Sequence, residues 1–441
     1  MSEIFKAPKK IDLNLYKKDD KNPVQKFGLP SKVMFCKKCV ISNQRPNSTT
    51  EFLNKVDRKQ KTINFDEHGV CDACRYTEKK NKVINWKERE LELEDLCNKY
   101  RKNNGRYDCI LPGSGGKDSI YASHLLKYKY NMNPLTITWA PTIYTDWGWR
   151  NFKKWINSTA DNFLMTPCGK THRLLTRLSL EKLLHPFQPF ILGQKTLAAK
   201  LAVKFDIDLI VYGENESEYG NPEAQNLDAK VKNDLYESQI PVDELVLSGI
   251  KVKSLIDDFG VKLSELQSYI PLEKQNHEKS SNLDFRLIGY YIKWHPQSCY
   301  YYSVENCDFE ASPARTTGSY SKYNSIDDKM DDLHFYTSFI KYGIGRATYD
   351  AAQEVRSQDI TREEGVSLIK KFDGEYPNRF LHELLEYLTI DNKNFKKAYH
   401  MFEQPKIDKE YFDNLCDNFR SPHVWYNEKN KWFLRNNIFN F

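Results

Sequence analysis

The sequence predicts an α/β protein built on a doubly wound, mostly parallel sheet, with a cysteine-rich module before the sheet and a helical region after it. Short apolar or β-branched runs alternate with longer amphipathic stretches, which predicts strands separated by helices. Two Cys-x-x-Cys pairs near the N-terminus predict the module. Because ligands of parallel sheets bind at the carboxyl ends of the strands, we expect a site in the turns that follow them.

The composition is that of a soluble globular protein, with 441 residues, 40% hydrophobic residues and a net charge of +6. So mild a positive charge does not by itself indicate a nucleic-acid partner. The N-terminus carries no apolar signal region, and no apolar run reaches the ~18 residues of a membrane span. We therefore expect a cytoplasmic protein that binds neither membrane nor nucleic acid.

Residues 1–30 are polar, rich in lysine and interrupted by three prolines, which indicates an extended N-terminal arm. Residues 31–84 contain the two cysteine pairs, Cys36 with Cys39 and Cys71 with Cys74. Each pair can form a knuckle whose thiolates point at one ion, and four thiolates close a tetrahedral site. We expect a structural zinc ribbon without an open position for catalysis, and a four-cysteine iron–sulfur cluster is the main alternative.

Residues 85–310 are expected to form the sheet domain. An amphipathic helix at Asn85–Tyr100 leads into it. The predicted strands are Tyr107–Leu111, Pro134–Ala140, Asn162–Met165, Asp208–Tyr212 and Leu287–Trp294. Helices are predicted between them, at Ile120–Lys129, Gly148–Ala160, Lys170–Leu184 and Pro189–Phe205. Residues 228–285 are expected to be a mostly helical insertion, and residues 311–441 a helical region that contacts substrate or a partner.

A glycine-rich turn separates the first predicted strand from the next helix, as Pro-Gly-Ser-Gly-Gly-Lys-Asp-Ser. A turn of this kind at a helix N-terminus gathers backbone N–H groups around a phosphate, and glycine permits close approach and positive φ. The turn lacks the Gly-Lys-Ser/Thr ending of a Walker A loop and the Gly-x-Gly-x-x-Gly of a dinucleotide-binding fold. The residues expected to bind the nucleotide are Pro112, Gly113, Ser114, Gly115, Gly116, Lys117, Asp118 and Ser119, together with Trp139 at the end of the second strand.

This turn resembles the Ser-Gly-Gly-x-Asp-Ser loop of the PP-loop ATP pyrophosphatases, whose fold is like that of the adenine nucleotide alpha hydrolases. Further segments are similar to the N-acetyl sugar amidotransferase family. They are the cysteine pairs and the segments Val211–Gly220, Gly318–His334, Lys341–Thr348, Ile360–Glu364 and Asp373–Pro377. The resemblance runs from about Met34 to Pro377.

The resemblance implies that the N-acetyl group of a bacterial surface-polysaccharide or flagellin sugar is converted to an acetamidino group. ATP, with Mg²⁺, would activate the acetamido oxygen, and ammonia would displace AMP. The ammonia is expected from a separate glutaminase with a cyclase-like subunit, and nothing in this chain has the pattern of a glutaminase Cys–His unit. The sugar could be free or linked to a nucleotide.

Site roles follow from the rim of the sheet and from the resemblance. Asp118, Glu214 and Asn215 are the expected catalytic or metal-binding groups. The expected substrate-binding residues are Glu218, Arg315, Tyr320, Tyr323, Asp327 and Lys329. A plainer interpretation treats Glu214 and Asn215 as a helix cap and the acidic run Asp327–Asp332 as a solvated helix start.

Two other functions fit parts of the sequence. A PP-loop enzyme that thiolates tRNA would adenylate a base carbonyl and transfer sulfur, and such enzymes generally need a cysteine pair or an iron–sulfur site beside the loop. The later cysteines are single, and Cys168, after the third strand, is the one that keeps sulfur chemistry open. A non-catalytic zinc-ribbon scaffold is the third possibility, and the intact glycine loop argues against it.

Overall fold

The computed structural model describes residues 4–48, 56–213, 216–221, 229–231, 237–273 and 282–440. Its centre is a five-stranded sheet in which all neighbouring strands are parallel. The strands are β1 (Cys109–Pro112), β2 (Pro134–Trp139), β3 (Asn162–Met165), β4 (Leu209–Tyr212) and β5 (Asp284–Leu287). Their order is β3-β2-β1-β4-β5. The α/β prediction with a parallel sheet is confirmed.

The described residues form sixteen α-helices. The helices before and within the sheet domain are α1 (Asp72–Lys82), α2 (Trp86–Tyr100), α3 (Lys117–His124), α4 (Asp146–Ser158), α5 (Gly169–Leu183), α6 (Gln188–Phe205), α7 (Val252–Asp257), α8 (Leu263–Leu266), α9 (Ile288–Tyr291) and α10 (Pro296–Cys307). The later helices are α11 (Met330–Tyr342), α12 (Arg346–Ser357), α13 (Arg362–Phe372), α14 (Leu381–Leu388), α15 (Lys396–Tyr399) and α16 (Lys409–Phe419). A hairpin of β6 (Trp425–Glu428) and β7 (Lys431–Leu434) follows them.

The strands are buried on both faces, because alternate side chains enter two different cores. In β1, Ile110 packs with α5 and α6, whereas Cys109 and Leu111 pack with α2, α3 and α4. In β4, Ile210 likewise points to the first core, and its neighbours Leu209 and Val211 point to the second. Helices therefore cover both sides of the sheet, as a doubly wound fold requires.

The strand order reverses between β1 and β4, so the turn after β1 lies at the switch point of the sheet. Gly113, at the start of that turn, donates its N–H to the carbonyl of Ile137 in β2 at 2.9 Å. Gly213, just after β4, packs on the N-terminal turn of α3, where an added Cβ would lie 3.0 Å from the carbonyl oxygen of Asp118. The ends of three strands thus converge on one turn, in the crevice where open α/β sheets bind their ligands.

Two sequence predictions are wrong. The fifth strand ends at Leu287, and the predicted strand residues beyond it form α9 and a loop. The insertion at 228–285 is not mostly helical in its described part, which holds α7, α8 and short strands at Glu237–Ser238, Val246–Leu247, Ile250–Lys251 and Leu272–Glu273. Its apolar side chains pack on the α5–α6 face of the sheet.

The N-terminal arm packs along the C-terminal region. Phe5 pairs with Phe402 through backbone hydrogen bonds on either side, and the Tyr16 hydroxyl, buried, donates to the carbonyl of Arg420 at 3.0 Å. The arm contains one turn of 3-10 helix at Leu13–Tyr16 and is otherwise without regular structure where it is described. No helix in the described parts of the chain is long and apolar enough to cross a membrane.

Candidate functional site

The turn between β1 and α3 is shaped by two glycines that no other residue can replace without strain. Gly115 has φ of +85°, and an added Cβ would lie 2.7 Å from the Cα of Phe152 in α4. An added Cβ on Gly113 would lie 2.3 Å from the Cβ of Ser119. Gly116 is the N-cap of α3 and offers no side chain to cap the helix, so the N–H groups of the first turn remain available to an anion.

The polar side chains of the turn are held by a buried indole and by one another. Lys117 Nζ lies 2.5 Å from Asp118 Oδ2, and the two side chains are only 7% and 16% exposed. Trp294 Nε1, from the loop before α10, donates to Asp118 Oδ1 at 2.9 Å. The hydroxyl of Ser119 donates to the carbonyl of Gly116 at 2.9 Å. Asp118 is therefore fixed in one orientation by two donors.

A second buried ion pair contacts the backbone of Trp294. Lys80, on α1 of the cysteine module, donates from Nζ to Glu218 Oε1 and to the Trp294 carbonyl, each at 2.5 Å. The Lys80 and Glu218 side chains are 8% and 7% exposed. Arg356 on α12 donates to the Glu218 carbonyl at 2.6 Å. One buried chain of contacts thus joins the cysteine module, the turn after β4 and the glycine-rich turn Pro112–Ser119, which we call the phosphate loop.

The C-terminal region reaches the loop through the segment before α11. The side chain of Ser114 lies close enough to the carboxyl group of Asp327 to oppose the rise in its pKa that burial causes. This position is set by the backbone, because Thr145 N–H donates to the Asp327 carbonyl at 3.1 Å and Lys329 N–H donates to the carbonyl of Ile143 at 2.9 Å. Gly148 packs on Asp327, where an added Cβ would lie 2.5 Å from the Asp327 Cα. Asp327 is therefore part of the wall of the loop site.

In the acidic run after Ile326, Asp328, Asp331 and Asp332 are buried and Asp327 is half-buried, so the interpretation of the run as a solvated helix start is wrong. Burial raises the pKa of Asp327. Burial also raises the pKa of Asp328 to about 6, although its carboxylate accepts hydrogen bonds from the backbone N–H groups of Thr142, Ile143 and Met330. Burial, followed by repulsion from Asp327 and Asp328, raises the pKa of Asp331 well above its usual range. The site therefore favours cations or hydrogen-bond donors beside the carboxylates.

Four of the expected substrate-binding residues make internal contacts. Arg315 forms a two-pronged ion pair with Glu375, with N–O distances of 2.5 and 2.6 Å. Lys329 pairs with Glu383 on α14 at 2.8 Å. The hydroxyl of Tyr320 donates to Glu354 at 2.7 Å, and Tyr323 stacks on Tyr300 with ring centroids 4.4 Å apart. These contacts order the wall of the C-terminal region, and they occupy the charges of Arg315 and Lys329.

The remaining expected residues lie in the core, in another ion pair or outside the described residues. The Trp139 ring is 3% exposed and packs in the α5–α6 core, 5.3 Å from the Tyr269 ring and against Gly193. The Trp139 side chain thus belongs to this core, and contact of Trp139 with the nucleotide stays a prediction. Glu218 is engaged with Lys80, as described above. Glu214 and Asn215 lie outside the described residues.

The four cysteines of the N-terminal module come together as the spacing predicts. Their Sγ atoms all lie within 4.8 Å of one another, and the cysteines are buried. Cys36 and Cys74 are 3.8 Å apart at sulfur, and Cys39 and Cys71 are 3.7 Å apart. A tetrahedron of Zn–S bonds of ~2.3 Å requires S–S distances of about 3.8 Å, so the donor set fits one zinc ion. The four-cysteine cluster is consistent with a zinc ribbon.

Most of the contacts around the site that the sequence did not predict join distant parts of the chain. Lys80 lay in a lysine pair of ordinary appearance, and Trp294 at the end of a misassigned strand. Glu354, whose burial raises its pKa to about 7, and Arg346, which pairs with Asp350 at 3.0 Å, lie on one face of α12. The four-residue spacing of Arg346, Asp350 and Glu354 was the available signal, since it places side chains on one side of a helix.

Residues 317–438 match the C-terminal domain of the "LPS biosynthesis protein WbpG-like" family. The matched segment begins just before the acidic run and ends after the β6–β7 hairpin. An uncharacterised protein of Methanocaldococcus jannaschii is 36% identical over 82 residues, which are 19% of this chain and 29% of that protein. The chain thus spans less than a third of the length of this curated relative.

Solved structures with similarity to the chain include an NH3-dependent NAD synthetase from Campylobacter jejuni. It is 15% identical, has a TM-score of 0.25 and covers 31% of this chain and 59% of its own. An NMN synthetase from Francisella tularensis is 12% identical, with a TM-score of 0.28 and coverages of 70% and 98%. A U34-tRNA thiolase from Methanococcus maripaludis with its [4Fe-4S] cluster is 13% identical, with a TM-score of 0.26 and coverages of 74% and 87%.

Proposed function

We propose that this protein is an ATP-dependent amidotransferase that converts the N-acetyl group of a bacterial surface sugar to an acetamidino group. The observation that carries the proposal is the Ser-Gly-Gly-Lys-Asp-Ser turn at the switch point of a parallel sheet, with the carboxyl group of Asp327 from the C-terminal region close to its first serine. The match of residues 317–438 to a lipopolysaccharide biosynthesis domain supports a sugar as substrate.

The proposed reaction has two steps. The acetamido oxygen attacks the α-phosphorus of ATP, and the bond to pyrophosphate breaks. Ammonia then adds to the activated carbon, and AMP leaves with the former acetamido oxygen. The reactants are the N-acetyl sugar, ATP and ammonia, and the products are the acetamidino sugar, AMP and pyrophosphate. The nitrogen of ammonia replaces the acetamido oxygen, which leaves in AMP, and any proton of ammonia that the amidine does not keep passes to pyrophosphate or solvent. The barrier falls mainly through positioning and through stabilisation of charge on the leaving group.

The residues of the turn have distinct roles in this proposal. Backbone N–H groups of Gly115, Gly116 and the first turn of α3 bind the outer phosphates, because no side chain caps that helix. Ser114 would offer its hydroxyl to a phosphate from the turn, close to Asp327. Lys117 places its charge beside Asp118 rather than in solvent, so that both face the pyrophosphate position with little cost in reorganisation.

A divalent cation is expected with ATP, and carboxylate oxygens are the ligands it prefers. Asp118 and Asp327 are the described carboxylates that would hold Mg²⁺, since Asp118 is in the turn and Asp327 lies close to Ser114 of the turn. Bound there, the cation would neutralise charge on the departing pyrophosphate. The zinc of the cysteine module is proposed to be structural, because all four of its positions are filled by thiolates.

The ammonia is proposed to come from a separate glutaminase with a cyclase-like subunit. Thiolation of tRNA remains the competing proposal, but the single cysteines give it little support. Cys299 lies outside the Cys-x-x-Cys pairs and interacts electrostatically with Asp118 and Lys117. Burial raises the pKa of the Cys299 thiol and so disfavours its reactive thiolate. Cys168 is exposed at the start of α5, after the edge strand β3.

The proposal is tested by incubating the protein with ATP, Mg²⁺, ammonium salt and a panel of free and nucleotide-linked N-acetyl sugars. The expected result is AMP in step with a sugar product in which the acetamido oxygen is replaced by NH, as resolved by mass spectrometry. The Ser114→Ala/Asp118→Ala variant should stay folded and form no AMP. Undiminished AMP formation by that variant would remove the turn from the mechanism, and the absence of an amidine from every sugar would refute the proposed substrate class.

A further inference from the structure

A cleft of about 720 Å³ lies beside the first cysteine pair, outside the phosphate-loop site. Its apolar lining includes Met34, Phe35 and Phe65. Lys32, Lys37 and Arg362 also line it, and no carboxylate does so among the described residues. The cleft thus combines an apolar floor with side chains that carry only positive charge.

The cations that line the cleft have no carboxylate partner among the described residues. Lys32 and Lys37 are exposed, and neither forms an ion pair with any described residue. Asp66, which is close in sequence to the lining residue Phe65, directs its carboxylate to the backbone N–H groups of His68 and Val70 at 3.0 and 2.8 Å. Unpaired cations around a concave apolar surface favour an acidic ligand through electrostatic complementarity.

The walls of the cleft are fixed by the cysteine module. Met34 and Asn43 exchange hydrogen bonds of 2.9 Å through backbone and side-chain groups. Lys37 N–H donates to the carbonyl of Gly69 at 3.0 Å, and Arg362 Nε donates to the carbonyl of Cys39 at 3.2 Å. Met34 is nevertheless 36% exposed, although it belongs to this ordered segment. A preformed concave surface with an exposed apolar side chain binds with little ordering cost.

We propose that this cleft docks an acidic segment of a partner protein, with an apolar side chain of the partner inserted between Met34 and Phe65. A small apolar centre with a charged rim is the usual anatomy of a protein interface. Nucleic acid is disfavoured, because three cations around an apolar hollow do not form the basic stripe that follows a phosphate backbone. The docking proposal does not depend on the reaction at the phosphate loop.

The test selects phage-displayed random peptides on the full zinc-loaded protein and measures the affinity of synthetic copies by fluorescence anisotropy. The selected peptides should be enriched in Asp and Glu next to Leu or Phe. Their affinity should fall by about tenfold or more on Lys32→Glu/Lys37→Glu, as expected for loss of complementary charge. It should also fall on Met34→Gln, which removes only apolar contact.

Matched controls keep the test decisive. Lys393→Glu/Lys396→Glu changes the net charge equally at exposed lysines elsewhere, and it should leave the affinity unchanged. Zinc content shows whether each variant retains the folded cysteine module. If Lys32→Glu/Lys37→Glu loses its zinc, the affinity measured for Met34→Gln decides the test. Selected peptides without acidic enrichment, or with equal affinity for the cleft variants, would overturn the proposal. So would binding of a mixed-sequence RNA, or self-association of the chain, that the cleft variants abolish.

Discussion

The buried pair between Lys80 and Glu218 gives the sharpest test of how the cysteine module supports the phosphate loop. In Lys80→Met, Glu218 keeps its charge but loses its partner, and the Trp294 carbonyl loses its donor. Because the two side chains are 8% and 7% exposed, solvent cannot replace the lost contact. Removing one partner of so buried a pair costs about 3–5 kcal/mol of unfolding free energy.

The measurement is urea denaturation followed by tryptophan fluorescence, together with AMP formation. Lys80→Met should lower the midpoint and reduce turnover, since Trp294 also holds Asp118 at 2.9 Å. Lys82→Met is the matched control on the same helix, where the partner is Glu78 and the lysine side chain is 71% exposed. That variant should leave both the midpoint and turnover unchanged.

A double variant separates charge from packing. Lys80→Met/Glu218→Gln removes both charges and should recover more than half of the lost stability, because the cost in the single variant is mainly that of an unpaired buried carboxylate. A double variant as unstable as Lys80→Met would refute this account of the pair. Equal stability of Lys80→Met and Lys82→Met would refute the role of burial.

Three further predictions concern the loop, the metal and the pH dependence. Gly115→Ala should destabilise the fold, because φ at this position is +85° and the added Cβ would clash with the backbone of α4. Gly116→Ala should fold normally, because the nearest atom to its added Cβ is 3.8 Å away. Thermal melting distinguishes the two variants. Cys71→Ser should lose the metal and lower AMP formation, and the exposed Cys168→Ser should lose neither, as measured by metal analysis and turnover. Burial raises the pKa of Glu354 from 4.5 to about 7, so the folded state binds a proton more tightly than the unfolded state and stability falls as pH rises through this window. Glu354→Gln should flatten that fall in urea midpoints measured from acidic to neutral pH, and an unchanged slope would contradict the assignment.

The parts of the fold that depend on local patterns were predictable. The first four strands and the helices between them follow apolar runs and turn residues, and the four cysteines follow their spacing. The fifth strand was predicted too late in the sequence, because the buried strand contains two charged residues, Asp284 and Arg286. They are accommodated by an ion pair of 2.7 Å between them and by a hydrogen bond from Tyr100. That compensation is tertiary and leaves no mark on the local pattern.

The candidate site was predictable only where one segment contains it. The glycine turn is contiguous, so its residues could be named from sequence. Lys80 and Glu218 are 138 residues apart, and Ser114 meets Asp327 across an even longer separation. Arg315 and Lys329 looked like free cations, but their partners Glu375 and Glu383 lie on later segments. Pairing of this kind requires the folded chain.

The central claim, that the turn activates an acetamido oxygen by adenylation, is tested most directly by labelling that oxygen with its heavy isotope. The N-acetyl sugar is incubated with ATP, Mg²⁺, ammonium salt and the protein, and AMP and the sugar are analysed by mass spectrometry. The account predicts that the label moves quantitatively into the phosphate of AMP as the amidine forms. Label found in inorganic phosphate, or retained in the sugar product while AMP accumulates, would contradict it.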